Sequence, residues 1–103
     1  MADRFEYRFE WDPAKAERNA KAHGVTFEQA ATVFLDASLA SQLDEVHDTG
    51  EERWVSLGMD KSARLLVVCH RYRGITEQSA VIRIFSARKA TRHETKEYEK
   101  RKP

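Results

Sequence analysis

Arg83, Arg88, Lys89 and Arg92 crowd into one stretch, Val81 to Tyr98, which reads V-I-R-I-F-S-A-R-K-A-T-R-H-E-T-K-E-Y. An apolar strand-like run passes there straight into the only strongly basic segment of the chain, so a buried scaffold leads to a surface suited to phosphate groups. A guanidinium group stays charged and grips two phosphate oxygens at once, which makes arginine apt for that task. Arg83 is the most pointed case, because it interrupts an otherwise apolar strand where a charge is hard to justify by folding alone. Its alternative use is an ion pair with an acidic residue such as Glu51 or Glu94. Arg88, at the strand end, could equally be an ordinary solvated charge.

The formal net charge of +1 hides an asymmetry. Residues 1 to 52 carry 5 basic and 12 acidic side chains, a balance of −7, whereas residues 53 to 103 carry 13 basic and 5 acidic ones, a balance of +8. A basic C-terminal half invites a polyanion, since clustered Lys and Arg displace the counterions condensed on nucleic acid. Attraction between the two halves across the fold is the other reading.

The elements that must position these residues are written in short-range patterns. Phe5, Tyr7, Phe9 and Trp11 alternate with Arg4, Glu6, Arg8 and Glu10, the period of a half-buried strand within Asp3 to Trp11. Asp12-Pro13 then opens a helix, and Gly24 closes it. Thr26 and Gln29 form a capping box ahead of Phe27, Ala30, Ala31 and Phe34, one face of a second helix. Leu35 to Asp48 reads as a short edge strand followed by an acidic loop. Arg53 to Met59 and Arg64 to Tyr72 form a hairpin about Asp60-Lys61-Ser62. The second run is apolar on both faces through Leu65 to Cys69, so it belongs inside the sheet. Ser79 to Ala87 adds a strand, and Thr91 to Glu94 repeats the capping box before a helix with little but Tyr98 to bury. The expectation is an α+β fold, an antiparallel β-sheet with two N-terminal helices and a C-terminal helix, in a single domain spanning residues 1 to 103.

Several classes are excluded or disfavoured. No apolar run approaches the roughly 18 residues that cross a bilayer, so no membrane partner and a cytoplasmic location are expected. Cys69 is the single cysteine, which rules out an intramolecular disulfide and a cysteine-based zinc site. His23, His47, His70 and His93 show no metal-ligand spacing, and no nucleotide fingerprint is present, so no metal or cofactor is expected.

Several separated motifs together resemble one known family. They are Phe9-Glu10-Trp11-Asp12-Pro13-Ala14-Lys15, Asn19 with Lys21-Ala22-His23-Gly24-Val25-Thr26-Phe27-Glu28-Gln29-Ala30, and Gly50-Glu51 with Arg53. Ile82-Arg83-Ile84-Phe85-Ser86-Ala87-Arg88-Lys89-Ala90-Thr91 with Glu94 and Tyr98 completes the set. In this order they resemble the BrnT family of bacterial type II toxins, from about Phe9 to Tyr98. Asp36-Ala37 stands where that family often has Asp-Pro, and Cys69 where an apolar residue such as valine is usual. The resemblance implies a RelE-like toxin fold and ribonuclease activity that arrests translation. It also implies a BrnA-like antitoxin with a ribbon-helix-helix DNA-binding portion, whose complex with the toxin would bind operator DNA and repress the operon.

RNA cleavage without a metal needs a base for the 2′-hydroxyl, cations for the crowded phosphorane and an acid for the departing 5′-oxygen. Arg53, Arg64, Arg83 and Arg88 are the candidate cations. His70, with an ordinary pKa of about 6.5, could serve as base or acid, or could simply be a satisfied surface histidine. Glu94 and Tyr98 are four apart on one helix face, so both could reach the groove of the basic strand end. Glu94 has a competing task in its capping box. Tyr72 and Tyr98 could stack bases, and Lys89 and Arg92 could add phosphate contacts, although Tyr98 could also be no more than its helix's anchor. Expected in catalysis, then, are Arg53, His70, Arg83, Arg88 and Glu94, and in RNA binding Arg64, Tyr72, Lys89, Arg92 and Tyr98. A non-catalytic module that binds protein or nucleic acid through the same arginines is the alternative.

Overall fold

The computed structural model describes residues 5–46 and 52–101. Expectations resting on residues 1–4, His47, Asp48, Gly50 and Glu51 lie outside the described residues. The elements follow the expected order: β1 (Glu6–Glu10), α1 (Pro13–His23), α2 (Phe27–Ala31) running into a 3-10 turn (Thr32–Leu35), β2 (Ala40–Val46), β3 (Glu52–Met59), β4 (Leu65–Thr76), β5 (Ser79–Lys89) and α3 (Arg92–Arg101).

Local chemistry sets the helix ends. Asp12 Oδ1 accepts from the Ala14 N–H, Pro13 occupies the first turn of α1, and Gly24 adopts φ 67° while its N–H bonds back to the Ala20 carbonyl. At α2 the Thr26 hydroxyl accepts from the Gln29 N–H and the Gln29 side chain accepts from the Thr26 N–H, both halves of a capping box.

The strands form one five-stranded sheet in the order β1-β5-β4-β3-β2. β2 to β5 are an antiparallel meander, with β4 in the interior as its two-faced apolar run requires. The sheet is nevertheless mixed, because β1 pairs with β5 in parallel. Alternation identifies a strand and its inward face but not its direction. α1 and α2 carry the chain from the β1 edge to the β2 edge across one face, which leaves the first strand beside the last and running the same way.

That covered face holds the core. Val25, Phe27, Ala30, Val33 and Phe34 pack on Leu66, Val68, Ile82, Ile84 and Ala87, with Tyr7, Phe9 and Trp11 partly buried against them. Ser56 and Gly58 of β3 also face this side and are buried. A Cβ at Gly58 would stand 2.7 Å from Leu39 Cδ1 and 3.2 Å from Val33 Cβ, so only glycine lets the 3-10 turn approach β3 so closely.

Asn19 ties helix to sheet. β1 ends at Glu10, opposite Arg83, so further along β5 no strand among the described residues flanks that edge. There the Asn19 amide donates to the Ala87 carbonyl at 2.8 Å and accepts from the Ala87 N–H at 3.1 Å, while also donating to the Val25 carbonyl at 3.0 Å. A side-chain amide thus completes the ladder where β1 stops. Replacing it leaves buried backbone groups unsatisfied. Asn19→Ala is expected to destabilise the fold by roughly 2–4 kcal/mol, measured as a shift of the urea midpoint with an unchanged slope.

Candidate functional site

The sheet register brings three arginines side by side. Arg53 of β3 is opposite Arg71 of β4, Arg71 is opposite Arg83 of β5, and Arg83 is opposite Glu10 of β1. Adjacent strands lie about 4.8 Å apart, so the row places three guanidinium-bearing residues within roughly 10 Å. It lies on the face that α1 and α2 do not cover, because each member alternates with a core residue: Arg83 with Ile82 and Ile84, Arg71 with His70.

Glu10 holds one end of the row. Its Oε1 accepts from Arg71 Nη2 at 3.2 Å and is paired with Arg83 Nη1 at 3.5 Å. The partner of Arg83 is therefore Glu10, and Glu94 pairs elsewhere. Arg53 stacks its guanidinium over the Phe85 ring, 4.4 Å from the centroid, and Lys15 of α1 approaches the same ring at 5.4 Å. Phe85 sits at the irregularity where β5 shifts register against Cys69 and His70. Arg53 Nε is buried without a hydrogen-bond partner among the described residues. One step toward the β4–β5 turn, Arg8 and Arg73 flank Val81 in the same register and extend the basic surface.

The second group of expected residues lies further along this face. Arg88 is opposite Val67, five positions from Arg83, roughly 15 Å along the strand. Its two terminal nitrogens grip the two Glu94 oxygens at 2.8 and 2.9 Å, and Glu94 Oε1 also accepts from the Thr91 N–H at 2.8 Å. The Arg88 hydrogen bonds hold the Glu94 carboxyl down at about 2, and Glu94 in turn raises Arg88. The pair fixes the start of α3, where Lys89 and Arg92 are exposed. Between α3 and the sheet lies a cleft of about 230 Å³ floored by Val55, Leu57 and Val67 and edged by Glu94, Glu97 and Arg101.

Four expected residues do not join either group. His70 is 2% exposed and points into the helix-covered face, where Nε2 bonds Ser56 Oγ at 2.7 Å, Ser56 bonds Ser41 Oγ at 2.6 Å, and Phe34 meets the ring edge-on. Burial pushes its pKa down to about 4, with the Arg71 backbone pulling weakly the other way. His70, expected as a catalytic base or acid or else as a surface histidine, is thus a neutral core group on the far side of the sheet from the arginine row. Tyr72 is exposed on that same far side, beside a cleft walled by Tyr7, Phe34 and Trp54. Tyr98 is buried, its hydroxyl donating to Asp36 Oδ2, which also accepts from the Met59 N–H at 2.8 Å. Burial first, then Asp36, raises its pKa. Arg64 sits at the β3–β4 turn, held by Asp60 through both its backbone N–H and Nε.

Arg71 and Glu10 escaped the sequence reading. Arg71 follows His70 at the end of an apolar run, and Glu10 looked like the solvent side of an alternating strand. Strand alternation placed Arg71 and His70 on opposite faces, a usable signal, but only the lateral register shows which arginines meet. Among the described residues no cluster of His, Cys, Asp and Glu side chains could hold a metal ion, and no helix is long and apolar enough to cross a membrane.

A mixed five-stranded sheet with α1 and α2 across one face and α3 against part of the other is the fold of a solved ribonuclease toxin. The crystal structure of BrnT from Brucella abortus superposes with a TM-score of 0.55, covering 84% of this chain and 100% of that one at 15% sequence identity. The model of the ribonuclease toxin BrnT of type II toxin-antitoxin systems matches residues 11–94, and the chain belongs to that family. Among curated proteins, none matches it significantly.

Two acid transitions follow from the geometry. His70 has a folded pKa of about 4 against 6.5 unfolded, so the unfolded chain takes up its proton first and stability falls as pH drops from 6.5 toward 4. Glu94, at about 2 against 4.5, adds a second loss as pH drops from 4.5 toward 2. Urea midpoints measured across this range are expected to lose the first transition in His70→Gln and keep the second.

Proposed function

We propose that this toxin is an endoribonuclease that binds single-stranded RNA by its phosphates on the arginine face and cleaves it without a metal, so arresting translation in the cytoplasm. The observation that carries the reading is the register of Arg53, Arg71 and Arg83 on the sheet face opposite α1 and α2. Three fixed cations at this spacing match the charge that develops on a phosphorane, and guanidinium forks suit its oxygens. Arg8 and Arg73 extend the track for flanking phosphates, and Phe85 offers an aromatic surface beside it.

In this reading Arg53, Arg71 and Arg83 bind the scissile phosphate. Arg88 and Glu94 position α3 at the end of the face, with Arg92 available to RNA that runs that far, whereas Lys89 takes the register of the core residue Leu66 and is left out. His70 and Tyr72 are left out because the sheet lies between them and the substrate, Tyr98 because it is buried, and Arg64 because it belongs to the β3–β4 turn. Membership of a type II family supports an antitoxin partner. We read it as a small BrnA-like protein with a ribbon-helix-helix portion, the complex binding operator DNA that the toxin alone does not.

Growth arrest on expression alone, relieved by co-expression of the neighbouring reading frame, is the expected result. Arg83→Ala should keep the far-ultraviolet spectrum of the wild type while RNA cleavage falls roughly 100-fold or more and arrest disappears. Undiminished cleavage by the folded variant would remove Arg83 from the mechanism. Cleavage that persists in excess chelator supports the metal-free reading, whereas gel retardation with no cleavage favours a binding module.

A further inference from the structure

We infer that Glu10 is the general base that takes the proton of the attacking 2′-hydroxyl, an assignment that rests on the arginine face being the site of RNA cleavage. The base must stand within hydrogen-bond reach of a hydroxyl whose neighbouring phosphate is held by the row. Among the described residues the Glu10 carboxylate touches the row: its Oε1 lies 3.2 Å from Arg71 and 3.5 Å from Arg83. Both contacts use Oε1, while Oε2 takes no hydrogen bond from a described residue. The side chain is 43% exposed, so a substrate can approach it from solvent.

Glu94 and His70, the proton-transfer candidates of the sequence, are committed elsewhere. Glu94 spends both oxygens on Arg88, and its Oε1 also caps the Thr91 N–H. His70 is buried under the opposite face and bonded to Ser56. Glu10 Oε1 occupies the bridging position between two guanidinium groups that a phosphate oxygen would take. An arriving phosphodiester would share those donors and release the carboxylate from part of its pairing. In an in-line arrangement the 2′-oxygen lies roughly 3 Å from phosphorus, which brings its proton beside the carboxylate.

The step balances without a redox partner. Glu10 accepts the 2′-hydroxyl proton, and the freed oxygen pair forms the bond to phosphorus. The bond from phosphorus to the 5′-oxygen breaks with its pair on that oxygen, which takes a proton from solvent. The products are a 2′,3′-cyclic phosphate and a 5′-hydroxyl end, and Glu10 then returns its proton to water. The charged groups around Glu10 are Arg71 from β4, Arg83 from β5, Arg8 and Asp12 along its own chain, Lys15 from α1 at Phe85, and Arg53 beyond Arg71.

The test is the pH dependence of kcat for wild type, Glu10→Gln and Glu10→Asp, with RNA affinity and the circular dichroism spectrum measured in parallel. Glu10→Gln should bind RNA as tightly as wild type or more tightly, lose roughly 100-fold or more in kcat, and lose the acid limb of slope one. Glu10→Asp should keep the limb and recover part of the rate. A Glu10→Gln protein that is folded and retains either the wild-type kcat or the acid limb would overturn the assignment, because a residue that merely positions arginines would leave that limb in place. Wild type that binds RNA and yields no cyclic phosphate would overturn the cleavage reading itself, and the base with it.

Discussion

Three guanidinium groups set side by side across β3, β4 and β5 repel one another, and like charges directly opposite on a sheet cost stability. The fold tolerates them because the other face of the same strands leaves no alternative register. Ile82, Ile84, Leu66 and Val68 are buried against the helices, and slipping a strand by one residue would expose them while burying arginine. Hydrophobic burial on one side thus holds the cations in line on the other. Glu10 offsets part of the repulsion at one end of the row, and the Phe85 ring receives Arg53 near the other.

The charge asymmetry of the sequence has two uses in the fold. Glu10 comes from the acidic half, and Arg71 and Arg83 from the basic half, so attraction between the halves is real. The register sets Arg53, Arg71 and Arg83 between Glu10 of β1 and, opposite Arg53, Glu45 of β2, and among the described residues the basic side chains continue through Arg8 and Arg73. Arg88 is different, since its two bonds to Glu94 complete an ion pair whose task is to start α3 in the right place.

What could be read in the sequence was local. The alternation of Tyr7, Phe9 and Trp11, the Asp12-Pro13 start, the Gly24 stop and both capping boxes depend on residues within four positions of each other, and each has its expected form. The parallel pairing of β1 with β5 was not legible, because strand direction is decided by the whole path of the chain. Nor was the row: Arg83 stood out as a charge in an apolar strand and Arg53 as a candidate cation, but Arg71 joins them only through two strand pairings. His70 illustrates the opposite failure. Its residue type suggested chemistry, yet its parity along β4 puts it beside Phe34 and Ser56, where burial keeps it neutral. Asn19 stood in the sequence only as part of a family motif, and neither its role nor that of Ser56 was legible, because the partners of both lie far away in the chain.

The proposed function requires RNA phosphates to sit on the arginine row. The most direct measurement is the salt dependence of single-stranded RNA binding by wild type and Arg71→Ala, since each neutralised phosphate adds about 0.7 to the slope of log K against log salt. The row predicts a contribution of about −2 to that slope, with Arg71→Ala binding more weakly and its slope shallower by about 0.7. A folded Arg71→Ala protein with the affinity and slope of wild type would contradict it.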